Sequence, residues 1–324
     1  MKKVLLTCPP MINRITEYKD LLEKYNLEIE IPYFKQIMSE YDLEKIIGNY
    51  DGWIIGDDPA TEKIFRLGKK GNLKAAVKWG VGTDNVNFDA CKKLNIPITN
   101  IPNVFGEEVS DVAIGILLNL TRKLREIDAK TKLGEWYKPA GMSLSNKKVC
   151  LLGFGDIGRC TARKLLAFNL NVYVSDPGFE KIDNRIICKY NENIVVSEQL
   201  QNVIITDLDN ALKDSDFIII TCTLNKHTHY LINRENIMKT KKGVKIINVA
   251  RGPIVNEDDV VDLLREEFVS AVGFDVFPVE PLPKESKLRD FPQNFYGSHN
   301  SSNTIEAVDK TSIIAINKIN EYLN

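Results

Sequence analysis

Leu151-Leu152-Gly153-Phe154-Gly155-Asp156-Ile157-Gly158 is the stretch that decides the fold. Its glycines have the spacing GxGxxG, follow the apolar run from Val149 to Leu152, and precede a helix-like stretch from Arg159 to Phe168. Strand, tight turn and helix in that order form a dinucleotide site. The first glycine turns the chain, the second lets backbone approach a pyrophosphate, and the third packs helix on strand, with the phosphates at the helix N-terminus. Gly153, Gly155, Asp156, Ile157 and Gly158 are therefore candidate cofactor contacts. The next apolar strand, Asn171 to Ser175, is followed by Asp176, eighteen residues past Gly158. A carboxylate there accepts the ribose hydroxyls of NAD and repels the 2′-phosphate of NADP, which points to NAD. The glycines alone would also suit a glycine-rich turn in another α/β protein; strand, helix and Asp176 together tell against that.

The chain before this loop is too long to be a tail and has its own pattern. Val4 to Thr7, Glu28 to Ile31, Gly52 to Ile55, Ala75 to Trp79 and Ile98 to Asn100 read as strands. Helical spacing separates them at Ile12 to Tyr25, Tyr41 to Gly48 and Ala60 to Lys69. Alternation of this kind predicts parallel sheet with helices on both faces. Glu107 to Lys123 reads as a long helix bridging two halves. Beyond the glycine loop, Phe217 to Thr221, Lys245 to Asn248, Gly273 to Phe274 and Asn294 to Gly297 read as further strands, and Thr304 to Tyr322 as a closing helix that returns to the first half. Glu180 to Asp207 reads as a long irregular connection. The expected fold class is α/β, with two Rossmann-like or flavodoxin-like parallel-sheet domains and the dinucleotide-binding domain inserted in the substrate domain. The expected boundaries are residues 1–102 and 299–324 for the substrate domain and 103–298 for the other.

Composition excludes several classes. With 43 Lys and Arg against 44 Asp and Glu, the formal charge is −1, so no global field favours nucleic acid or an anionic membrane. The N-terminal apolar run is too short for a signal peptide, and no stretch approaches the roughly 20 apolar residues of a membrane span. Six cysteines without a CxxC sit mostly in apolar surroundings, which points to reduced thiols and a cytoplasmic protein. Three histidines without HExxH or a Cys/His cluster give no expectation of a metal.

Ligands of open α/β sheets bind beyond the carboxyl ends of the strands, so polar residues just past apolar runs are the chemical candidates. Ile246-Ile247-Asn248-Val249-Ala250-Arg251-Gly252 offers an arginine, Gly273-Phe274-Asp275-Val276-Phe277-Pro278-Val279-Glu280-Pro281 two carboxylates, and Tyr296-Gly297-Ser298-His299 a histidine. Arginine, carboxylate and histidine beside a nicotinamide are the parts needed to oxidise a hydroxy acid. Singly, each has a plainer reading: Arg251 as a strand-turn cap, Glu280 as a solvated loop charge, His299 as an interior histidine. Trp79 suits a core role at least as well as a substrate role, and His227 and His229 suit the surface or a cofactor rim.

These motifs resemble the D-isomer-specific 2-hydroxyacid dehydrogenases, a family that includes phosphoglycerate dehydrogenase and glyoxylate/hydroxypyruvate reductase. The resemblance extends to Lys78-Trp79-Gly80-Val81-Gly82-Thr83-Asp84-Asn85-Val86, similar to the family's substrate loop, to Gly134-Glu135-Trp136, and to the cofactor segment from Leu224 to Asn233. It implies that His299 is the acid/base, that Glu280 orients it and favours its protonated form, and that Arg251 binds the substrate carboxylate and polarises the carbonyl. It also implies substrate contacts from Lys78, Val81 and Gly82, and cofactor contacts from Thr223, Ala250 and Asp275, the last through the nicotinamide carboxamide. The implied partner is a small 2-hydroxy or 2-keto acid, and the implied assembly a homodimer. Departures from the family pattern are Gly297-Ser298 in place of Thr-Pro before the histidine, and the polar run Asn300 to Asn303, which hints at a phosphorylated or hydroxyl-rich acid such as 3-phosphoglycerate. Two other readings are an NAD-sensing binding protein of the same fold, and a phosphite- or formate-type dehydrogenase; formate enzymes carry glutamine at the position of Glu280.

Overall fold

A computed structural model describes residues 1–324, which form two compact units: Met1–Phe105 with Ser302–Asn324, and Gly106–Ser301. In the first, strands β1 (Lys2–Leu6), β2 (Leu27–Glu30), β3 (Gly52–Ile55), β4 (Ala75–Lys78) and β5 (Ile98–Asn100) form a fully parallel sheet in the order β2-β1-β3-β4-β5. This is the flavodoxin-like order, and it follows from crossover helices that return each strand in the same direction. The strands β3 and β4 are buried along their whole length, as expected of parallel sheet covered on both faces. On one side lies a core containing Trp53, Phe65, Ile55, Ile64 and Leu43. The closing helix Ile305–Leu323 packs on β3 and β4, and its cap, Thr304, accepts the Ala307 N–H.

One expected helix is broken. Residues 12–25 form the end of a short helix, Pro9–Ile12, then a 3₁₀ turn, Ile15–Tyr18, then a helix, Lys19–Lys24. Two prolines start the first helix, where their missing N–H costs nothing, but Arg14 leaves helical geometry at φ −124°. From there its guanidinium donates to both oxygens of Asp309 at 2.6 and 2.8 Å, and the Tyr18 hydroxyl donates to Asp309 Oδ1 at 2.6 Å.

The second unit carries a seven-stranded parallel sheet from β6 (Lys148–Leu152), β7 (Asn171–Ser175), β10 (Ile204–Ile205), β11 (Phe217–Ile220), β12 (Val244–Asn248), β13 (Val269–Phe274) and β14 (Phe295–Tyr296). Their order is β10-β7-β6-β11-β12-β13-β14. The chain runs outward from β6 to β10, then crosses back to β11, so the strand order reverses between β6 and β11, where doubly wound sheets bind ligands. The helix Gly106–Arg122 belongs to this unit and packs on β12 and β13. Gly273 makes room for it: a Cβ there would lie 2.0 Å from Ile116.

The stretch expected to be irregular contains an antiparallel hairpin, β8 (Phe179–Ile182) and β9 (Arg185–Cys188), turning at Asp183-Asn184. Both turn residues have positive φ, 48° and 63°, the type I′ pattern that matches strand twist and that Asn and Asp tolerate. Further on come a 3₁₀ turn, Glu198–Asn202, and β10. The second crossing between units falls after Ser301, so His299 belongs to the dinucleotide unit, because its N–H donates to the Asp275 carbonyl at 2.7 Å and Ser301 N–H to the Asp275 carboxylate at 3.0 Å.

Arg14 and Tyr18 hold the Asp309 carboxyl below its usual range. A carboxyl depressed in the folded state stabilises above its unfolded pKa of about 4 and loses that contribution as pH falls through the folded value. Asp309→Asn should therefore lower the urea midpoint of the first unit at pH 7. The difference from wild type should shrink as the pH falls through the folded value of Asp309 and vanish once that carboxyl is protonated, measured by hydrogen exchange on the helix Ile305–Leu323.

Candidate active site

The glycine loop follows β6 directly, and each glycine answers to a different constraint. Gly153 sits at φ +94°, and a Cβ there would lie 2.7 Å from the backbone of Cys222, just past β11. Gly158, in the first turn of the helix Asp156–Ala167, would place a Cβ 2.2 Å from the Gly153 carbonyl. Gly155 is the helix N-cap, is exposed, and faces open space, with nothing within 4 Å of a built Cβ and no side chain capping the helix. Two glycines are thus required for packing, and the third leaves bare backbone beside the N-terminal end of a helix. The N–H groups of Asp156 and Ile157 belong to that first turn, where the helix dipole favours an anion. The residues fit the pyrophosphate of a dinucleotide.

Asp176 follows β7 at the same edge. Its Oδ2 accepts the Phe154 N–H at 2.6 Å and its Oδ1 the Gly178 N–H at 2.7 Å. The carboxylate is thereby fixed against the glycine loop, and each oxygen retains acceptor capacity for a hydroxyl. Cys222 lies half-buried against this region, and the partial burial of its thiol pushes it up to about 12, so it is no nucleophile. Burial acts in the same direction on Cys8, Cys91, Cys150 and Cys160. All six cysteines are free thiols, but only Cys8, Cys91 and Cys150 are fully buried. Thr223 is exposed in the loop after β11, where its carbonyl accepts the Thr228 hydroxyl at 2.7 Å.

The register of β12, β13 and β14 aligns Asn248 with Phe274 and Phe274 with Tyr296. The residues following each strand, Val249 to Arg251, Asp275, and Gly297 to His299, consequently emerge side by side. Asn248, almost fully buried, shapes the first loop: its Oδ1 accepts the Ala250 N–H at 3.0 Å and its Nδ2 donates to the Arg251 carbonyl at 2.9 Å. Arg251 Nη1 donates to the Ala250 carbonyl at 2.9 Å. Gly252 brings this loop against the next one, since a Cβ there would lie 2.0 Å from the Phe277 carbonyl carbon. Neither Asn248 nor Gly252 stood out in the sequence, although Asn-x-x-Arg-Gly at a strand end is a readable turn signal.

Asp275 is 3% exposed, and its carboxylate accepts the N–H groups of Asn300 and Ser301 and the Ser301 hydroxyl. Gly297 is explained by the same carboxylate: a Cβ there would lie 2.0 Å from Asp275 Oδ1. The loop delivers His299 at φ +55°, with its Nδ1 2.8 Å from Glu280 Oε2. Glu280 is itself positioned by its Oε1, which accepts the Phe277 N–H at 2.9 Å. Both side chains are about 30% exposed, so the pair is open to a ligand while held from behind.

In the first unit, β4 runs into the loop Trp79 to Gly82. Lys78 is 3% exposed and engaged within that unit, donating to the Gly56 carbonyl at 2.6 Å and paired with Asp57 at 3.0 Å. Trp79 is core: its ring lies beside Phe105 and its Nε1 donates to Ser312 Oγ at 3.2 Å. Gly80, at φ +100°, turns the loop, and Asn100 Nδ2 holds the Val81 carbonyl at 2.9 Å, so Val81 and Gly82 present backbone at the edge of the sheet. His227 and His229 are exposed, the latter with its ring tilted against Tyr230 at a centroid distance of 4.0 Å.

The two packing glycines and the open one should separate on substitution. Gly155→Ala should keep its melting temperature but bind NADH at least tenfold more weakly, because a methyl occupies the pyrophosphate's approach. Gly158→Ala should lose several degrees of melting temperature and bind poorly as a result. Equal loss of stability in both variants would contradict this assignment.

Comparison with known proteins places the chain in a family. Residues 114–301 match the family described as "D-isomer specific 2-hydroxyacid dehydrogenase, NAD binding domain". The hydroxypyruvate reductase of Thermotoga maritima is 31% identical over 304 residues, covering 92% of each chain. The glyoxylate reductase of Thermofilum pendens is 33% identical over 250 residues, 75% of this chain and 70% of its own. Among solved structures, the NAD-dependent formate dehydrogenase of Staphylococcus aureus in complex with NAD superposes with a TM-score of 0.81 at 25% identity, covering 99% of this chain and 95% of that one. The chain belongs to the D-isomer-specific 2-hydroxyacid dehydrogenase family and is an NAD-dependent oxidoreductase acting on CH–OH donors.

Proposed function

We propose that the protein reduces a short 2-keto acid of the glyoxylate or hydroxypyruvate class to its D-2-hydroxy acid, and that His299 is the proton donor. The observation that carries this reading is the His299–Glu280 pair at 2.8 Å, held at the edge of the sheet by the Asp275 loop. Glu280 accepts from Nδ1 and so directs Nε2 outward, where it delivers a proton to the keto oxygen in reduction and takes the hydroxyl proton in oxidation. Arg251 binds the substrate carboxylate as a planar cationic fork and polarises the adjacent carbonyl. Backbone N–H groups at Val81 and Gly82 are the further carboxylate ligands, with Lys78 fixing the strand end beside them. When bound, NAD(H) supplies the hydride at its nicotinamide ring. The glycine loop takes its pyrophosphate, Asp176 its ribose, and Thr223, Ala250 and Asp275 line the nicotinamide end, Asp275 chiefly by anchoring the loop that carries His299.

The names of the two relatives quoted favour glyoxylate and hydroxypyruvate over 3-phosphoglycerate, and the Asp57 carboxylate beside Lys78 weighs against a second anionic group. Glu280 argues against a formate-type reaction, because a carboxylate that fixes a protonating histidine has no part in moving hydride from formate, which has no hydroxyl proton to exchange. No helix is long and apolar enough to cross a membrane, and cytoplasmic residence is part of this proposal. So is a homodimer. The helix Leu124–Lys132 buries no residue, and Leu133 and Trp136 beyond it are 79% and 81% exposed in the single chain. A second copy covering them predicts a particle of twice 36.7 kDa in sedimentation, reduced to one chain by Leu133→Glu with Trp136→Glu.

NADH oxidation should be measured against glyoxylate, hydroxypyruvate, phosphohydroxypyruvate, pyruvate and longer keto acids. His299→Gln should lower kcat by roughly 10²- to 10⁴-fold with the NADH Kd unchanged. Glu280→Gln should have a smaller effect on kcat and shift its pH profile. NADH binding without turnover of any acid would replace this reading with that of an NAD-sensing binding protein.

A further inference from the structure

The hairpin β8–β9 serves no step described above, yet it is built onto the loop that carries Asp176. Phe179 opens it and meets Phe154 of the glycine loop edge to face, with ring centroids 5.1 Å apart. At its far end the Lys189 N–H donates to the Gly178 carbonyl at 2.8 Å. The hairpin is braced behind by Gln201, which accepts the Ile186 N–H at 2.8 Å and donates to the Val196 carbonyl at 3.1 Å. The next residue, Tyr190, is thereby set beside Gly178. A Cβ built on Gly178 would lie 3.0 Å from Asp176 Oδ1 and 3.4 Å from Cδ2 and Cε2 of the Tyr190 ring, so carboxylate and ring edge border the same point. Tyr190 is nonetheless 79% exposed. An aromatic residue on a braced backbone, with its edge against the turn and its face in water, is a platform for a flat partner. Little further ordering is needed to use it.

We propose that Tyr190 stacks on the adenine ring of NAD and closes the adenosine end of the cofactor site. The proposal rests on the reading of Asp176 as the ribose ligand, since adenine is the planar group attached to that ribose. Stacking on a tyrosine requires the ring and not the hydroxyl, and every purine has a face to offer.

Calorimetric titration of the intact protein with NADH, ADP-ribose and reduced nicotinamide mononucleotide tests this. Tyr190→Ala should weaken NADH and ADP-ribose roughly tenfold, in the range of a lost base–aromatic stack. It should leave the mononucleotide, which has no adenosine, at the wild-type affinity, and the melting temperature unchanged because the ring is exposed. Tyr190→Phe should bind as wild type. Wild-type affinity of Tyr190→Ala for ADP-ribose, together with weakened binding in Asp176→Asn, would overturn the proposal while leaving the ribose reading intact. Unchanged affinity in Asp176→Asn would sink the ribose reading and the proposal with it.

Discussion

One buried carboxylate organises the chemical edge of the dinucleotide unit. Asp275 stands at the end of β13, almost fully out of water, and its charge is met by the N–H groups of Asn300 and Ser301 and the Ser301 hydroxyl. Burying a carboxylate is costly unless such donors surround it, so the segment from Gly297 to Ser301 has no freedom to leave. That single requirement accounts for the glycine at 297, the positive φ of His299, and the point at which the chain passes back to the first unit. It also gives the histidine a rigid mount, which proton transfer needs more than it needs any particular flanking sequence.

The cofactor side is governed by close approach of backbone to backbone. Gly153 rests on Cys222 and Gly158 on Gly153, which ties β6, β11 and the helix Asp156–Ala167 together where the strand order reverses. Asp176 then pins the glycine loop through Phe154, and Phe154 carries the hairpin through Phe179. Glycine loop, Asp176 carboxylate and hairpin form one connected body. The proposed stack on Tyr190 would use that rigidity.

Much of this was legible in the sequence. The strands Ile98–Asn100 and Asn171–Ser175 lie where the apolar runs place them, and the bridging and closing helices differ by a residue at their ends. The helices are long enough to show their spacing, and central strands such as Gly52–Ile55 and Phe217–Ile220, buried on both faces of a parallel sheet, leave a continuous apolar run. The break at Arg14 was not legible, because the helical spacing continues through it and only a partner 295 residues away, Asp309, draws the arginine out. The hairpin was missed for a different reason. Its strands, Phe179–Ile182 and Arg185–Cys188, are four residues each and follow neither a continuous apolar run nor a regular alternation, and the one clear sign was the Asp-Asn turn.

What the sequence by itself determined is the chemistry: which residues ionise, where glycine is demanded, which runs must be buried, and in what order strands and helices follow. Those properties are local, carried by side-chain type and spacing. The tertiary structure alone decided which distant residues share a job. It engaged Lys78 with Asp57 and placed Trp79 in the core, set Gly297 against Asp275 and Gly252 against Phe277, and brought Tyr190 beside Gly178. Each pairing joins loops that are separate in the chain and meet only when strand register and close packing have placed their ends side by side, and no local pattern encodes that distance.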